Sequence, residues 1–454
     1  MNIFRFIGSI LFKRQKKVQT VSSEMQTAIE TWLNLYAYGT DNIEKTGSLH
    51  LPSSVASEVS RLVLAESKIE VSDENLNEYM QLFWNRFCSQ AELALALGSQ
   101  VFKPYVSGDK ITVDLVRADR YVPTAFDSTG AVISAVFMER KTENDRYYTR
   151  LESHTFDEST HTYTVENKAY CSFSEEYLGG ECSLADVDGW EQLKDIQTIA
   201  NVQQPLFAVF KVPTANHIDI DSPLGSSVYA DAYELFSQAE RQWERLMWEF
   251  KGTELAIDAS EALFPRKGEK LAKKLPRTFR RLFRMHDIDP QAKLTDMLQV
   301  FSPAIRDSNI FNGFNRILQR IEFSCGLAYG TISDPQVVEK TAEEIRSSKQ
   351  RSYVQTSRIQ QSLQIALEQL LYAMKVYAAL YELPYDQNAE LTCSWGDSVL
   401  EDAKEAVQQQ LQFAQAGYLK PELLLSYYFG CTEEEAKKMM PAQPVYREPF
   451  GGDG

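Results

Sequence analysis

The spacing of apolar residues divides the chain into helical and extended stretches. From Ser22 to about Leu97 apolar side chains recur at steps of three and four, which predicts helices. Between about Tyr105 and Phe210 the period shortens to two, in the short runs KITVDLV, AVISAVFME, YYTRLESHTF and TYTVENKAY. These runs are rich in β-branched and aromatic residues and are separated by polar turns, so they predict an antiparallel β region. The fold class that follows is α+β.

Two helices with heptad-like apolar stripes come next, over 227–251 and 308–326. Stripes of this kind predict that each helix packs against another helix. The intervening segment, 252–307, opens with the extended stretch ELAIDASEALF. The residues expected to pack the two helices are Tyr233, Phe236, Trp243, Met247, Ile310, Phe314, Ile317 and Ile321.

The third long helical pattern follows an irregular segment. Gly330 and Pro335 break the periodicity, which predicts a loop over 327–340. Thr341 and Glu344 then form a capping box, and no Gly or Pro occurs until Pro384. An unbroken helix of this length would span roughly 60 Å. After 394 the pattern predicts three short helices to about residue 440 and a disordered Pro/Gly-rich tail over 441–454.

The chain is acidic overall, but one of its segments is basic. The net charge is -16 and the sequence pI is about 5.0, which disfavours nucleic-acid binding by the surface as a whole. The reversal lies in the 252–307 segment and is compatible with a solvated basic surface or with a docking or nucleic-acid patch. Its candidate residues are Lys270, Lys273, Lys274, Arg277, Arg280, Arg281 and Arg284.

The first residues, MNIFRFIGSILFKRQKK, are apolar and basic. Arg5 interrupts the apolar run and the basic cluster follows it, unlike in a signal peptide. This favours an amphipathic segment that docks on a neighbouring protein, with contact to a membrane surface as the alternative. No window approaches the roughly 18–20 apolar residues of a transmembrane helix, so we expect a soluble protein with no membrane partner.

Motifs that carry chemistry are missing from the sequence. It contains no Gly-x-x-x-x-Gly-Lys-Ser/Thr phosphate loop, no Gly-x-Gly-x-x-Gly fingerprint and no Gly-x-Ser-x-Gly elbow. The five histidines are isolated, and the six cysteines include no Cys-x-x-Cys pair. We therefore expect free thiols, no metal site, no cofactor and no catalytic residues.

Four stretches, in collinear order, resemble the portal proteins of long-tailed phages that infect Gram-positive bacteria. RADRYVPTAFDSTGAVISAVFMERK with YYTRLESHTF is similar to the wing of that family, and LAYGTISDPQVVEKTAEEIRSSKQRSY to its tunnel loop and long helix. WGDSVLEDAKEAVQQQLQFAQAGYLKPELLLSYYFGCTEEEAKK is similar to the crown. The family often has an Asp where Glu240-Arg241 stands, and the segment after Gly252 matches poorly. The stretch leading into the stem matches at Pro213, Asn216, Asp219, Ser222, Pro223, Leu224 and Gly225.

The resemblance implies the portal fold and an order of parts along the chain. These parts are a wing over 1–226, a first stem helix over 227–251, a clip over 252–307, a second stem helix over 308–326, a tunnel loop over 327–340, a long helix returning to the wing over 341–394, a crown over 395–440 and a flexible tail over 441–454.

The resemblance also implies a function. Portal proteins form a ring, typically a dodecamer, at the unique capsid vertex of the virion. Double-stranded DNA is packaged and ejected through this ring, which also joins head to tail. The implied partners are further copies of the chain, the terminase large subunit, the head–tail adaptor, and the major capsid and scaffold proteins, met in the host cytoplasm during assembly.

On this interpretation the tunnel loop faces DNA and the basic cluster of the clip docks a partner or DNA. A mostly acidic channel with a few basic residues would let DNA slide, because each Lys or Arg held against phosphate adds affinity. The residues of the loop expected to face DNA are Asp334, Gln336, Glu339 and Lys340.

Three alternative functions would require different sequence features. Another head–tail connector or minor capsid protein would share helices and strands but would lack the order of stem, clip and stem. A metal-dependent nuclease would need clustered carboxylates, which the sequence does not assemble. A basic DNA-binding module is disfavoured by the net charge of -16.

Overall fold

The structure is a computed structural model, and the chain divides into two compact units, Met1–Ser394 and Trp395–Gly454. In the second unit only 395–396 and five single positions are described, so the architecture below is that of the first unit. The described residues are 21–40, 48–175, 177–220, 222, 224–260, 283–286, 298–302, 304–334, 342–396, 412, 420, 423, 437 and 438.

The first unit is α+β, as the sequence predicts. Its described helices are α1 (Ser23–Tyr38), α2 (Leu51–Leu64), α3 (Glu74–Leu97), α4 (Tyr233–Gly252), α5 (Asp307–Ser324) and α6 (Ala342–Leu380). Its described strands are β1 (Lys68–Val71), β2 (Ser99–Ser107), β3 (Lys110–Arg117), β4 (Tyr121–Phe126), β5 (Val132–Glu143), β6 (Arg146–Asp157), β7 (Thr162–Ser172), β8 (Gly180–Cys182), β9 (Ile196–Ala200), β10 (Ala208–Lys211), β11 (Ala256–Ser260), β12 (Phe283–His286), β13 (Leu298–Phe301) and β14 (Leu391–Ser394).

The predicted antiparallel region forms a six-stranded sheet in the order β4-β5-β6-β7-β8, with β9 also paired to β7. Its central hairpin pairs Glu143 with Arg146. The two loop residues, Asn144 and Asp145, have left-handed φ values of 48° and 59°. Two-residue hairpin loops favour this conformation because it matches the twist of the strands, and Asn and Asp tolerate it better than most side chains.

A second sheet, β10-β2-β3, carries the core against which the helices pack. Helix α3 begins at Asp73, whose carboxylate accepts from the Leu76 N–H at 2.7 Å. Its buried face places Phe83 and Phe87 against Phe102 of β2, with ring centroids 4.8 and 5.2 Å away. Helix α6 packs on β2 and β10. The N-terminal helices and the long helix therefore share one apolar core with this sheet.

A buried polar network joins this second sheet to the six-stranded sheet. Lys103 of β2 donates to Glu152 of β6 at 2.7 Å, and Arg150 lies 3.1 Å from the same carboxylate. His154 lies 2.7 Å from the other oxygen of Glu152 and 2.5 Å from the Tyr163 hydroxyl. Burial opposes ionisation of Glu152, but the charges of Lys103, His154 and Arg150 outweigh it and hold the pKa of the carboxyl well below its usual range. Each charge in this cluster has a partner.

The path into α4 depends on a close backbone crossing of two glycines. Gly98 has φ +80°, and a Cβ there would lie 2.6 Å from the Gly225 carbonyl oxygen. A Cβ on Gly225 would lie 2.1 Å from the Gly98 carbonyl oxygen, so neither position can accept a larger residue without moving the backbone. Asn216, in the preceding turn, accepts from the N–H groups of Ile218 and Asp219 at 3.0 Å. This explains why Asn216 and Gly225 stand in the stretch leading into α4.

The long helix runs over Ala342–Leu380, close to its predicted limits. After it, β14 pairs with β1 in an antiparallel two-stranded sheet, Lys68 opposite Ser394. This pairing was not predicted, because nothing in the local pattern indicates a partner more than 300 residues away. The N-terminal apolar segment lies outside the described residues, and so do nearly all residues of the predicted crown and tail.

Candidate functional site: the paired helices and the loop after them

Helices α4 and α5 pack against each other in antiparallel fashion. Near the end of α4, Glu249 contacts Arg306 just before α5 begins. Further along, the Gln242 amide donates to the Ile310 carbonyl at 3.2 Å, and the Trp243 and Phe314 rings lie 5.7 Å apart. The two predicted helices thus form a pair, beginning and ending within a few residues of the predicted limits.

The buried face of α4 differs from the predicted stripe. Phe236 is fully buried, whereas Tyr233 is 47% exposed and so does not pack between the helices of one chain. Trp243 and Met247 are only half-buried, and the buried positions are Phe236, Ala239, Glu240, Leu246 and Glu249. The predicted stripe includes Phe236, which is buried, and Trp243, whose ring contacts Phe314, but it counted apolar residues only and so left out Glu240 and Glu249, which face the core.

The buried face of α5 shows the same departure. Phe314 and Ile321 are buried as predicted, and Ile310 and Ile317 are half-buried. The buried positions also include the polar residues Asn315 and Glu322, which were not predicted. The buried side chains of Glu240, Glu249, Asn315 and Glu322 each have hydrogen-bond partners, which offsets the high cost of burying a polar group.

Glu249 closes the end of the pair where α4 stops and α5 starts. Its carboxylate accepts from Arg306 Nε at 3.0 Å and from Nη2 at 2.9 Å, and it also accepts from the Arg306 backbone N–H at 3.2 Å. This two-pronged geometry is specific to arginine. The hydrogen bond from Arg306 lowers the pKa of the Glu249 carboxyl. The strand-containing segment between the helices therefore leaves and re-enters the pair at a fixed point.

Glu240 ties α4 to the N-terminal helices. One oxygen of its carboxylate accepts from the Ser48 hydroxyl at 2.7 Å and from the Leu49 N–H at 2.8 Å, just before α2. The side chain is 8% exposed. The Glu240 carboxylate therefore holds a turn almost 200 residues earlier in the chain.

Glu322 holds the loop that follows α5. It is fully buried, and one carboxylate oxygen accepts from the backbone N–H groups of Gly330, Ile332 and Ser333 at 3.1, 2.7 and 2.8 Å. The other oxygen accepts from the Ser333 hydroxyl at 2.8 Å. Four donors converge on one carboxylate, so the loop is folded around the side chain of the preceding helix.

Asn315 makes a second attachment two turns earlier on α5. It is 1% exposed, and its carbonyl oxygen accepts from the Asp334 N–H at 2.7 Å. Its amide nitrogen donates back to the Asp334 carbonyl at 3.2 Å. Together, Glu322 and Asn315 fix residues 330–334, the base of the loop, against the helix.

Most of the other residues predicted to act in the loop and the clip lie outside the described residues. Asp334 is half-buried at the Asn315 attachment, while Gln336, Glu339 and Lys340 lie outside the described residues. Of the basic cluster, Lys270, Lys273, Lys274, Arg277, Arg280 and Arg281 also lie outside them. Arg284 lies in β12, where only its backbone is described. That strand belongs to a small sheet in which β11 pairs parallel to β12 and antiparallel to β13.

Among the described residues, no group of three or more His, Cys, Asp or Glu side chains could hold a metal ion. The cysteines in this part of the chain are free, and of them only Cys325 is buried, where burial raises the pKa of its thiol. Within the same ranges, no helix is both long and apolar enough to cross a membrane.

No protein-family model matches the chain, and no curated protein matches it. Among solved structures, it is similar to a chain from the neck of a native GTA particle, computed with C12 symmetry. The match covers 95% of this chain and 99% of that chain, with 11% sequence identity and a TM-score of 0.43.

Proposed function

We propose that this chain is the portal protein of a tailed phage. It assembles into a ring, a dodecamer in the virion, around a channel for double-stranded DNA at the unique capsid vertex. Through this ring the genome enters during packaging and leaves during ejection, and the tail is joined to the head. The chain acts in the host cytoplasm during assembly and in the virion afterwards.

The observation that carries the proposal is the antiparallel pair of α4 and α5 with the loop fixed to its second helix. A small sheet lies between the two helices in the sequence, and Glu249 and Arg306 join the helices at that end. The loop after the second helix is held by Glu322 and Asn315. The order of sheet region, helix, small sheet, helix, fixed loop and long helix matches the order of wing, stem, clip, stem, tunnel loop and long helix.

Rigidity of this pair supports a role as a channel wall. A wall past which DNA slides has to keep its shape, and close-packed helices resist deformation. The net charge of -16 supports sliding rather than tight binding, since affinity for DNA grows with each cation held against a phosphate.

The proposed partners bind different parts of the ring. The 252–307 segment docks the terminase large subunit during packaging and the head–tail adaptor afterwards, and the outer parts of the ring meet the major capsid and scaffold proteins. We propose no enzymatic activity. Incubation of the protein with supercoiled plasmid and Mg²⁺ or Mn²⁺ should leave the plasmid intact, and nicking that EDTA abolishes would favour a nuclease instead.

Mass in solution and negative-stain imaging of the same purified peak test the assembly. We expect a closed ring with a central channel, with a mass that is a whole multiple of the 51.8 kDa chain. A protein that stays monomeric at high concentration, with no ring on the grid, would favour another head–tail connector or a minor capsid protein.

A further inference from the structure

The outward face of α5 is basic although the chain is acidic. Arg316 and Arg320 are exposed and lie one helical turn apart on the same side. The exposed positions before them on that side are Asn309 and Asn312, so the row contains no acidic residue. Among the described residues, neither arginine forms an ion pair.

A third guanidinium joins this row through Phe323. The Arg320 Cζ atom lies 4.9 Å from the centroid of the Phe323 ring, and that of Arg351, on α6, lies 4.3 Å from it. Phe323 itself is 41% exposed. Because both groups contact one ring, they lie within about 10 Å, one Debye length at 0.1 M salt, so their positive potentials add.

The carboxylate of Glu322 does not neutralise this patch. Glu322 is adjacent in sequence, but it is buried and both of its oxygens accept hydrogen bonds from the loop. The Nη1 atom of Arg351 is buried and has no hydrogen-bond partner within the described ranges. Two guanidinium groups at one aromatic ring, with that of Arg316 one helical turn from Arg320, repel one another, and an approaching anion relieves this repulsion.

The patch lies beside the loop that the proposed function places in the channel. Arg351 is 5.7 Å from the Tyr329 ring of that loop. Arg316 follows Asn315, whose side chain holds the backbone of Asp334. The basic face of α5 and the fixed base of the loop are therefore adjacent.

We propose that Arg316, Arg320 and Arg351 form a contact site for the phosphates of the DNA backbone. This inference rests on the proposed function and specifies which residues of the channel wall meet DNA. The Cα atoms of Arg316 and Arg320 are about 6 Å apart along the helix axis. That span covers about two phosphates of one strand, which rise about 3.4 Å each along the duplex, and guanidinium groups bind phosphate oxygens in pairs.

A small number of arginines per chain suits a channel. Binding to the backbone carries no sequence information, so any genome can pass. Two or three cations per chain in a surface of net charge -16 give weak, salt-sensitive attraction rather than tight binding.

Binding of a fluorescein-labelled 30-bp duplex, measured by anisotropy over a range of salt concentrations, tests the site. The test variant is Arg316→Gln/Arg320→Gln in the assembled protein. The matched control is Arg241→Gln/Arg245→Gln, which removes two exposed arginines one turn apart on α4. The variant Arg316→Lys/Arg320→Lys keeps the charge and tests whether the positions themselves matter.

We expect the test variant to weaken binding and to lower the slope of log affinity against log salt. Each phosphate that is no longer neutralised should lower the slope by about 0.9, so the double variant should lower it by about 2 for every chain of the ring that contacts the duplex. The control and the lysine variant should keep the wild-type slope. An unchanged slope in the test variant, or an equally large decrease in the control, would overturn the proposal.

Ring formation, measured for the variants and for the wild type, distinguishes failure of this inference from failure of the proposed function. If Arg316→Gln/Arg320→Gln no longer forms rings while the control does, the patch contacts a second copy of the chain and the DNA proposal is wrong. If the wild-type protein forms no ring at all, the proposed function fails, and the same titration on the unassembled protein still decides whether the patch binds phosphate.

Discussion

The two sheets and the helix pair both bury charge, but they neutralise it differently. Between the sheets, Glu152 is surrounded by the side chains of Lys103, Arg150 and His154, so charge meets charge. In the helix pair, Glu322 is surrounded mainly by backbone N–H groups of the loop after it. The first arrangement fastens two finished sheets together, whereas the second determines the path of a loop.

This difference predicts which substitutions should destabilise the whole unit and which should affect a single loop. Removing Glu152 from the sheet network leaves the buried Lys103 ammonium without its close carboxylate and leaves Arg150 with Glu139, whose side chain is 42% exposed, which destabilises the whole unit. Removing Glu322 leaves unpaired N–H groups in one loop, so the damage should be more local.

Glu152→Ala should cause the largest loss of stability. It leaves Lys103 and Arg150 without their shared carboxylate in a buried site, and breaking a buried pair costs about 3–5 kcal/mol. Thermal unfolding followed by circular dichroism measures this as a lower Tm.

Glu139→Ala is the matched control, because Glu139 also pairs with Arg150 but its side chain is 42% exposed. It should lower Tm much less than Glu152→Ala does. Equal losses in the two variants would mean that burial of the network does not determine its contribution.

Glu322→Leu should come next, at about 3 kcal/mol. Each buried donor left without an acceptor costs about 1–3 kcal/mol, but the four donors lie in one loop that can open, so that most of them bind water instead. Its distinguishing result is local: amide exchange measured by mass spectrometry should accelerate in peptides covering 328–334. Glu244→Leu, at an exposed position of α4, should leave exchange in that loop unchanged. Unchanged exchange in Glu322→Leu would remove the claim that this side chain fixes the loop.

Acidification should destabilise the protein in two stages. Burial lowers the pKa of His154 below its ordinary 6.5, so the unfolded chain takes up a proton first and stability falls as the pH drops below about 6.5. The depressed pKa of Glu152 adds a second loss below about pH 4.3, where the unfolded carboxyl becomes protonated.

Tm measured from pH 8 to pH 4 in wild type and in His154→Gln tests the first stage. The variant should be less stable at pH 8 but should lose less stability between pH 6.5 and pH 5. Parallel curves for the two proteins would exclude His154 as the titrating group.

Glu249→Gln should have the smallest effect of the series. Its partner Arg306 has a side chain that is 71% exposed, and solvent-screened ion pairs contribute little. We expect a smaller loss of Tm than in Glu322→Leu, with faster amide exchange confined to residues 304–308. A loss as large as that of Glu322→Leu would mean that closure of the helix pair matters more than attachment of the loop.

The strands of the β region, and the helices before and after it, could be predicted because the local sequence pattern indicates them. The runs around Val136 and Thr164 are short and rich in β-branched and aromatic residues, and a strand lies over each of them. The pairing of β1 with β14 could not be predicted, since each strand is four residues long and the contact depends on how the whole unit folds.

The helix pair was predictable, but the residues that organise it were not. Phe236 and Phe314 stand out as apolar positions at helical spacing and are buried. Glu240, Glu249 and Glu322 resemble surface residues in the sequence, because acidic side chains are rarely buried unless paired. One available signal was that each lies three or four residues from a buried apolar residue, on the core side of its helix.

A cryo-electron microscopy map of the assembled particle tests the central claim most directly. The claim is that α4, α5 and the loop held by Glu322 form the wall of an axial channel. We predict a closed ring in which residues 327–334, Arg316 and Arg320 line the channel. A ring in which these residues face outward, or a particle without an axial channel, would contradict the account.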